Sequence, residues 1–364
     1  MAAYLVVFLL FFLPLIVIPA GFSPFETPKV ILAEAVIEIL LFIKIFRSRK
    51  YDLKKFIHPQ LIFIGILFIL SLDTLFLFHS PGAFFGNVFR LQGQFLFWHL
   101  LLFSLMTKTI QLDQIPKFLY QLSLIFLFMG TLILGSYKGR AFGTLGEPNA
   151  LSATALFIFP FVWYHSQKLI KTTSIAATLA VILLSGSRAG LVGLIIEFVF
   201  IFKKSVAIPA ILIVLSLILP FIASTGWFEN RAEIWQTAFF AGLKSPFIGH
   251  GFGNIQSVLR KEAVFLNNNV QYQIVDSSHN FLLDFWVQGG IVGVVSILML
   301  VFLTLQHFIR YQKSLEITAF LGLLTAMMFN PVSVVNLIAF WWLIGQGMYR
   351  TVQYQGFDNH HHIS

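Results

Sequence analysis

Long apolar runs recur through almost the whole of this chain and limit the folds open to it. Between Tyr4 and Met348 the sequence alternates apolar segments with short polar connections. Of its 364 residues, 58% are hydrophobic and only 11% are charged, and the mean hydropathy is +0.85. A helix needs ~20 residues to cross the hydrocarbon core of a bilayer, and a soluble domain of this size would carry more polar surface. The sequence therefore predicts an all-α polytopic membrane protein.

Twelve apolar segments are predicted as transmembrane helices. They lie at 4–20, 29–46, 59–78, 93–107, 117–135, 150–165, 173–186, 189–202, 205–223, 281–306, 315–329 and 332–349. The first lacks a basic leader and a small-residue cleavage site, so we interpret it as a retained helix. The seventh and eighth are short and form either a tight hairpin or a re-entrant pair. The chain thus divides into nine helices at 1–223, one long connection at 224–280, three helices at 281–349 and a tail at 350–364.

The distribution of charge predicts how these helices are oriented. The segment 47–55 holds the densest cluster of Lys and Arg, which places it in the cytoplasm. Successive helices place their connections on alternate sides of the membrane. Counting from the 47–55 segment, both termini lie inside and the 224–280 connection lies outside. Several connections on the outer face then carry basic or ionisable residues that the positive-inside rule does not favour there. These residues are Arg90, Arg140, Arg188, Arg231 and His279.

Each of the four arginines has a functional and a structural interpretation. The planar guanidinium matches phosphate oxygens in pairs, so outward-facing arginines suit a phosphorylated ligand. Arg188 lies in a glycine-flanked turn, where it either binds a ligand or reaches to the lipid headgroups. Arg231 is four residues from Trp235 on one helix face, and it either binds a ligand or pairs with a neighbouring acid. Arg90 and Arg140 either contact phosphate or anchor the chain at the interface.

The long connection is predicted to begin with a helix and continue into a glycine-rich loop. Asn230 and Glu233 form a capping-box pattern that starts the helix, and Gly242 with Pro246 ends it. The glycines of the following loop permit backbone conformations that other residues avoid. They are Gly249, Gly251 and Gly253.

His279 is the candidate general base of the outer face. Its ordinary pKa of ~6.5 suits a base near neutral pH, and nearby arginines would keep the ring neutral. Asp276 could orient the ring if the following helix starts early, and Asn280 lies at that helix start. A lone histidine at a helix start is more often structural. His250 and His79 are the rival bases.

Several common chemistries have no signal in this chain. It contains no cysteine. It lacks a phosphate-binding loop followed by Lys and Ser or Thr, an outer acidic cluster for a divalent cation, and a His-Glu-x-x-His pattern. We therefore expect neither a metal nor another cofactor. The basic residues are scattered over short connections, which argues against nucleic acid as a partner. The tail at His360–His362 is assigned no function.

Three stretches together resemble the O-antigen ligase and polymerase superfamily of bacterial envelopes. Gly186–Gly190 resembles its Ser-Arg-Gly-type turn. Arg231 to Trp235, followed by Pro246–Asn254, resembles its Arg-x-x-x-Trp and Pro-x-x-Gly-x-Gly segments. Ser278–Asn280, with Gly289–Gly293, resembles its His-Asn and Gly-x-x-Gly segments. The surroundings of Arg90 and Arg140 fit weaker upstream signals. The resemblance spans roughly 85 to 295, with the motifs in order.

The resemblance implies metal-independent, inverting glycosyl transfer at the periplasmic face of the bacterial inner membrane. The donor would be a glycan on undecaprenyl diphosphate, and the acceptor a hydroxyl of lipid A-core or a similar glycan or glycolipid. Arg188 and Arg231 would bind the diphosphate, Arg90 and Arg140 would assist, and His279 would be the base. A repeat-unit polymerase is the alternative within the superfamily.

A transporter or flippase for a lipid-linked glycan is the alternative of a different class. Such a protein should line a path across the membrane with charged residues. The strong candidates are acidic and have no matched cations at mid-membrane. They are Glu34, Glu38, Asp73 and Glu197.

Overall fold

The computed structural model of the chain is mostly helical. It describes residues 1–19, 22–47, 58–77, 81–112, 115–203, 207, 231–267, 270 and 275–348. The first helix, α1, spans Ala2–Val7 and continues through a π turn at Phe8–Phe12 and a 3-10 turn at Leu13–Leu15. The other helices are α2 Thr27–Arg47, α3 Pro59–Leu77, α4 Pro81–Phe85, α5 Gln94–Thr107, α6 Phe118–Ile133, α7 Pro148–His165, α8 Lys168–Ser185, α9 Arg188–Lys203, α10 Arg231–Leu243, α11 Ile255–Phe265, α12 Phe281–Arg310, α13 Ser314–Met327 and α14 Val334–Gln346.

The predicted helical character is confirmed, whereas the twelve-helix membrane topology stays a prediction. Every predicted apolar segment that falls in the described part of the chain contains a helix. The ninth segment, most of the basic 47–55 loop and the tail at 350–364 lie outside it. Among the described helices, α8 and α12 are long and apolar enough to cross a membrane by length and composition. The predicted segment 173–186 belongs to an 18-residue helix that starts at Lys168.

A central layer of helices carries the site. α13 packs against α7 and α9, α12 against α3, and α14 against α5. The side chains of α7 from Asn149 to Val162 and almost all of those on α13 and α14 are buried. A small hairpin connects α6 to α7, with strands β1 Ser136–Tyr137 and β2 Arg140–Ala141 paired antiparallel. These buried helices provide a rigid base for the connections that bear the predicted site residues.

The glycine-rich loop after α10 inserts into a break in α12. Gly290 has a φ of 59° inside that helix, so the helical hydrogen bonds are interrupted there. Backbone groups of the loop replace them: Ile291 N–H donates to the Pro246 carbonyl at 2.8 Å, and His250 N–H donates to the Val287 carbonyl at 2.9 Å. An added Cβ at Gly249 would collide with the backbone of Gln288. The loop therefore needs glycine because two backbones touch, which explains the kink physically.

Candidate functional site

Hydrogen bonds to the side chains of Asn280 and Asp284 stabilise the turn that carries His279. Asn280 caps α12, since its side-chain oxygen accepts hydrogen bonds from the backbone N–H of Leu282 and Leu283 at 3.0 and 3.1 Å. Asp284 Oδ1 accepts hydrogen bonds from the Ser278 N–H at 2.8 Å and the Ser278 hydroxyl at 2.5 Å. His279 has a φ of 56°, a left-handed conformation that costs a non-glycine residue ~1–2 kcal/mol. The surrounding hydrogen bonds hold the residue in this conformation.

The imidazole of His279 lies in a positive environment. The side chain is partly buried, and neither ring nitrogen hydrogen-bonds to any residue that the structure describes. Burial, followed by the charges of Arg231 and Arg90, lowers the pKa of His279 to about 3. The ring is therefore neutral at working pH and can accept a proton.

Arg231 reaches the site from the first turn of α10. Its Nη2 donates a hydrogen bond to Asn330 Oδ1 at 3.3 Å, and the Asn330 amide donates in turn to the Ala326 carbonyl at 2.9 Å. Trp235 is 1% exposed and packs against Phe329 with ring centroids 6.1 Å apart. The predicted Arg231–Trp235 face thus docks on the α13–α14 connection, and Trp235 positions the helix that bears the arginine. The predicted cap at Asn230 lies outside the described residues.

Arg90 also acts electrostatically on His279, and its own charge is compensated. Its Nε forms an ion pair with Asp276 Oδ2, and Asn87 donates a side-chain hydrogen bond to the same oxygen at 3.3 Å. Asp276 therefore pairs with Arg90 and Asn87 and makes no hydrogen bond to the His279 ring, in contrast to the orienting role considered from the sequence. The physical reason is that α12 begins only at Phe281, so Asp276 is not on the helix.

Arg188 directly follows the turn between α8 and α9, and Arg140 of β2 contacts that turn. Arg140 Nε donates to the Ser185 carbonyl at 2.9 Å, and its Nη2 donates to Asn149 Oδ1 at 2.8 Å. Gly186, with a φ of 60°, leaves room for the Arg140 side chain, since an added Cβ would lie 3.2 Å from Arg140 Cγ. Arg188 is exposed as the first residue of α9. Arg140 thus supports the turn from which Arg188 projects.

Glu147 connects the two groups of arginines. Its carboxylate caps α7 by accepting from the N–H of Asn149 at 3.1 Å and of Ala150 at 2.6 Å, and it also accepts from the Asn149 side chain. Burial raises the pKa of Glu147, and the nearby charge of Arg90 opposes this shift. Asn149 in turn accepts from Arg140. Polar contacts therefore run from the α8–α9 turn to Glu147, whose carboxyl group also interacts electrostatically with Arg90.

Sequence reasoning missed several residues of this arrangement. Glu147 could have been found, because an acidic residue followed by proline is a common helix start. Asp284 and Asn330 had no local signal, since their roles depend on the tertiary fold. The rival base His250 donates a hydrogen bond from its Nε2–H to the Ala241 carbonyl at 2.8 Å, which is a structural contact. The other rival, His79, lies outside the described residues.

A cavity of about 260 Å³ lies beside the His279 turn. It is bounded by α4, α5, the glycine-rich loop and the start of α12. Its main polar lining residues are Asn87, Arg90, Asn254, Asp276, Asp284 and Gln288. Its aromatic lining residues are Phe97, Phe252, Phe281, Phe285 and Trp341. In the described part of the chain, no group of three or more His, Cys, Asp or Glu side chains is arranged to hold a metal ion.

Comparison with known families agrees with the motifs. Residues 124–298 match a family model described as O-Antigen ligase. The match includes Arg140, Arg188, Arg231, the glycine-rich loop and His279, whereas Arg90 precedes it. No curated protein matches the chain significantly. The resemblance inferred from the sequence is confirmed.

Proposed function

The chain belongs to the O-antigen ligase superfamily, and from this premise we propose that it transfers a glycan from undecaprenyl diphosphate to an acceptor hydroxyl. The family supports a glycosyltransferase of the ligase or polymerase type in the bacterial inner membrane. We propose the ligase reaction, with lipid A-core or a similar glycolipid as acceptor. The observation that carries the proposal is the neutral His279 on a hydrogen-bonded turn, with the charges of Arg231 and Arg90 acting on its ring.

The arrangement supports a direct displacement. His279 accepts the proton of the acceptor hydroxyl, whose oxygen attacks the anomeric carbon of the donor glycan. The bond between that carbon and the diphosphate oxygen breaks, and undecaprenyl diphosphate leaves with the bonding electrons. Attack opposite the leaving group inverts the anomeric centre. Arg231 and Arg188 bind the diphosphate and stabilise the charge that develops on it.

The proposal is tested by incubating the purified protein with a lipid-linked oligosaccharide and separate acceptors, with and without EDTA. We expect the glycan to move to a lipid A-core acceptor at the same rate in both conditions. Growth of the glycan on its own lipid carrier would identify a polymerase instead. Translocation of the donor across proteoliposomes without any transfer would favour the transporter.

The pH dependence of transfer should differ between free enzyme and complex. A base works only when deprotonated, so activity falls as the pH drops through its pKa. In the free enzyme the pKa of His279 is about 3. We therefore expect kcat/KM not to fall as the pH drops through 6.5. Bound diphosphate would neutralise the charge of Arg231 and raise the pKa of His279, so the acid limb of kcat should lie at higher pH. Steady-state rates between pH 4 and 8 check this, and coincident acid limbs in both parameters would contradict it.

The proposed orientation places α11 outside and the α7–α8 connection in the cytoplasm. Because the chain has no cysteine, single cysteines report their side of the membrane directly. Lys261 and Gln167 are both exposed. An impermeant thiol reagent applied to intact cells should label Lys261→Cys and spare Gln167→Cys until the cells are lysed. The reverse labelling pattern would overturn the orientation.

A further inference from the structure

The cavity adjoins the turn that carries the proposed base. Ser277 and Phe281, which flank the His279 turn in sequence, both line it. Arg90 also lines the cavity and acts electrostatically on His279. Arg140, Arg188 and Arg231 are not among the lining residues. A molecule in this cavity would therefore lie beside the turn that carries His279, away from the arginines proposed for the diphosphate, none of which lines the cavity.

The charged residues that line the cavity disfavour an anionic ligand there. Its lining carries the carboxyl groups of Asp276 and Asp284 and one guanidinium, that of Arg90, which is already paired with Asp276. Asp284 binds Ser278 through Oδ1, whereas its Oδ2 makes no hydrogen bond to any described residue. A carboxyl group offers oxygens that accept hydrogen bonds. This lining suits a ligand rich in hydroxyl or ammonium donors.

The remaining lining adds an apolar surface to these acceptors. Phe97 and Phe252 stack with ring centroids 4.3 Å apart, and Trp341 lies 5.9 Å from Phe97. Aromatic walls with a few placed polar groups are typical of small-ligand pockets. A sugar ring offers apolar C–H faces to such walls and hydroxyl groups to the carboxylates.

We propose that this cavity binds the acceptor sugar, an uncharged or amino-bearing pyranose. This inference rests on the proposed function, because it assigns one of the two substrates of that reaction to the cavity. The donor diphosphate is held elsewhere, by Arg231 and Arg188. The acceptor hydroxyl thereby reaches His279 from the cavity side.

Gly82 offers a way to block the cavity without disturbing the base. It lies in α4, lines the cavity, and a Cβ added there meets no atom within 4 Å. Gly65 in α3 has equally open surroundings but does not line the cavity. Gly82→Trp is therefore the test variant and Gly65→Trp its matched control. Both should be monodisperse in detergent.

The probes are methyl glycosides of galactose, glucosamine and galacturonic acid, and binding to purified protein is measured by saturation-transfer NMR and calorimetry. We expect the wild type and Gly65→Trp to bind the galactose or glucosamine probe and to reject galacturonate. Gly82→Trp should weaken that binding by ~10-fold or more while leaving lipid-linked donor affinity unchanged. Preference for galacturonate, absence of binding by all three probes, or normal binding by Gly82→Trp would overturn the inference.

A second variant separates the carboxylate from the shape of the cavity. Asp284→Asn keeps an oxygen for Ser278 but cannot ionise. Because the ammonium of glucosamine would stabilise the ionised carboxylate, glucosamine binding should fall more than galactose binding. Equal losses for the two sugars would count against a role for the carboxylate. These binding measurements do not depend on turnover. Failure of the wild type to transfer glycan would overturn the proposed function, whereas transfer with normal sugar binding by Gly82→Trp would overturn the cavity assignment alone.

Discussion

Replacing His279 by asparagine is expected to lower the single-turnover rate of glycan transfer by ~10²-fold or more, which is the usual contribution of a general base. Asparagine tolerates the left-handed backbone that His279 adopts, so the turn should persist while the proton acceptor is lost. Alanine at this position should lose as much activity but also strain the turn. Donor affinity should stay within about 2-fold, because the base acts on the acceptor.

The matched control for this experiment is His250→Gln. The His250 ring contacts the Ala241 carbonyl, and a glutamine amide can still donate to that oxygen. We expect this variant to turn over normally if it folds, which size exclusion in detergent will show. Normal turnover by His279→Asn together with an inactive, folded His250→Gln would mean that the wrong base has been assigned.

Removing the guanidinium of Arg231 is expected to weaken donor binding as well as the rate. A hydrogen bond to a charged group contributes ~1.5–3 kcal/mol, so Arg231→Ala should raise the Kd for the lipid-linked donor by roughly 10-fold or more. Arg231→Lys should recover only part of this, because an ammonium cannot form the paired contacts of the guanidinium. Arg188→Ala should behave in the same way, since Arg188 is exposed at the start of α9. Donor affinity and single-turnover rate are measured for each variant.

Arg260→Ala is the control for charge alone. Arg260 is exposed on α11, does not line the cavity and is not one of the charges that lower the pKa of His279. The Arg260→Ala variant should bind donor normally. An equal loss of donor affinity in Arg260→Ala and Arg231→Ala would indicate that only the net charge of the outer face matters.

Arg231→Ala should also raise the pKa of His279, because the charge of Arg231 lowers that pKa more than the charge of Arg90 does. A shifted acid limb in kcat/KM would report this coupling.

The local features of the site could be read from the sequence. Asn230 and Glu233 predict a helix here and Gly242 with Pro246 predict its end, and the described part of the chain has a helix at Arg231–Leu243. The glycine-rich loop was predicted to need unusual backbone conformations, and Gly249, Gly251 and Gly253 all have positive φ. Such features follow from patterns within a few residues, since capping, helix periodicity and backbone sterics act over one or two turns.

Local patterns in the sequence predict the helical segments and the glycine turns, and they show which ionisable residues lie in the connections. Which of these residues contact one another depends on the tertiary structure. Asp276 pairs with Arg90 and not with His279, and Arg231 is held by Asn330, 99 residues away in the chain. The kink at Gly290 likewise depends on the loop that fills it. Helix formation is governed by local backbone energetics, whereas the pairing of buried charges depends on which helices pack together.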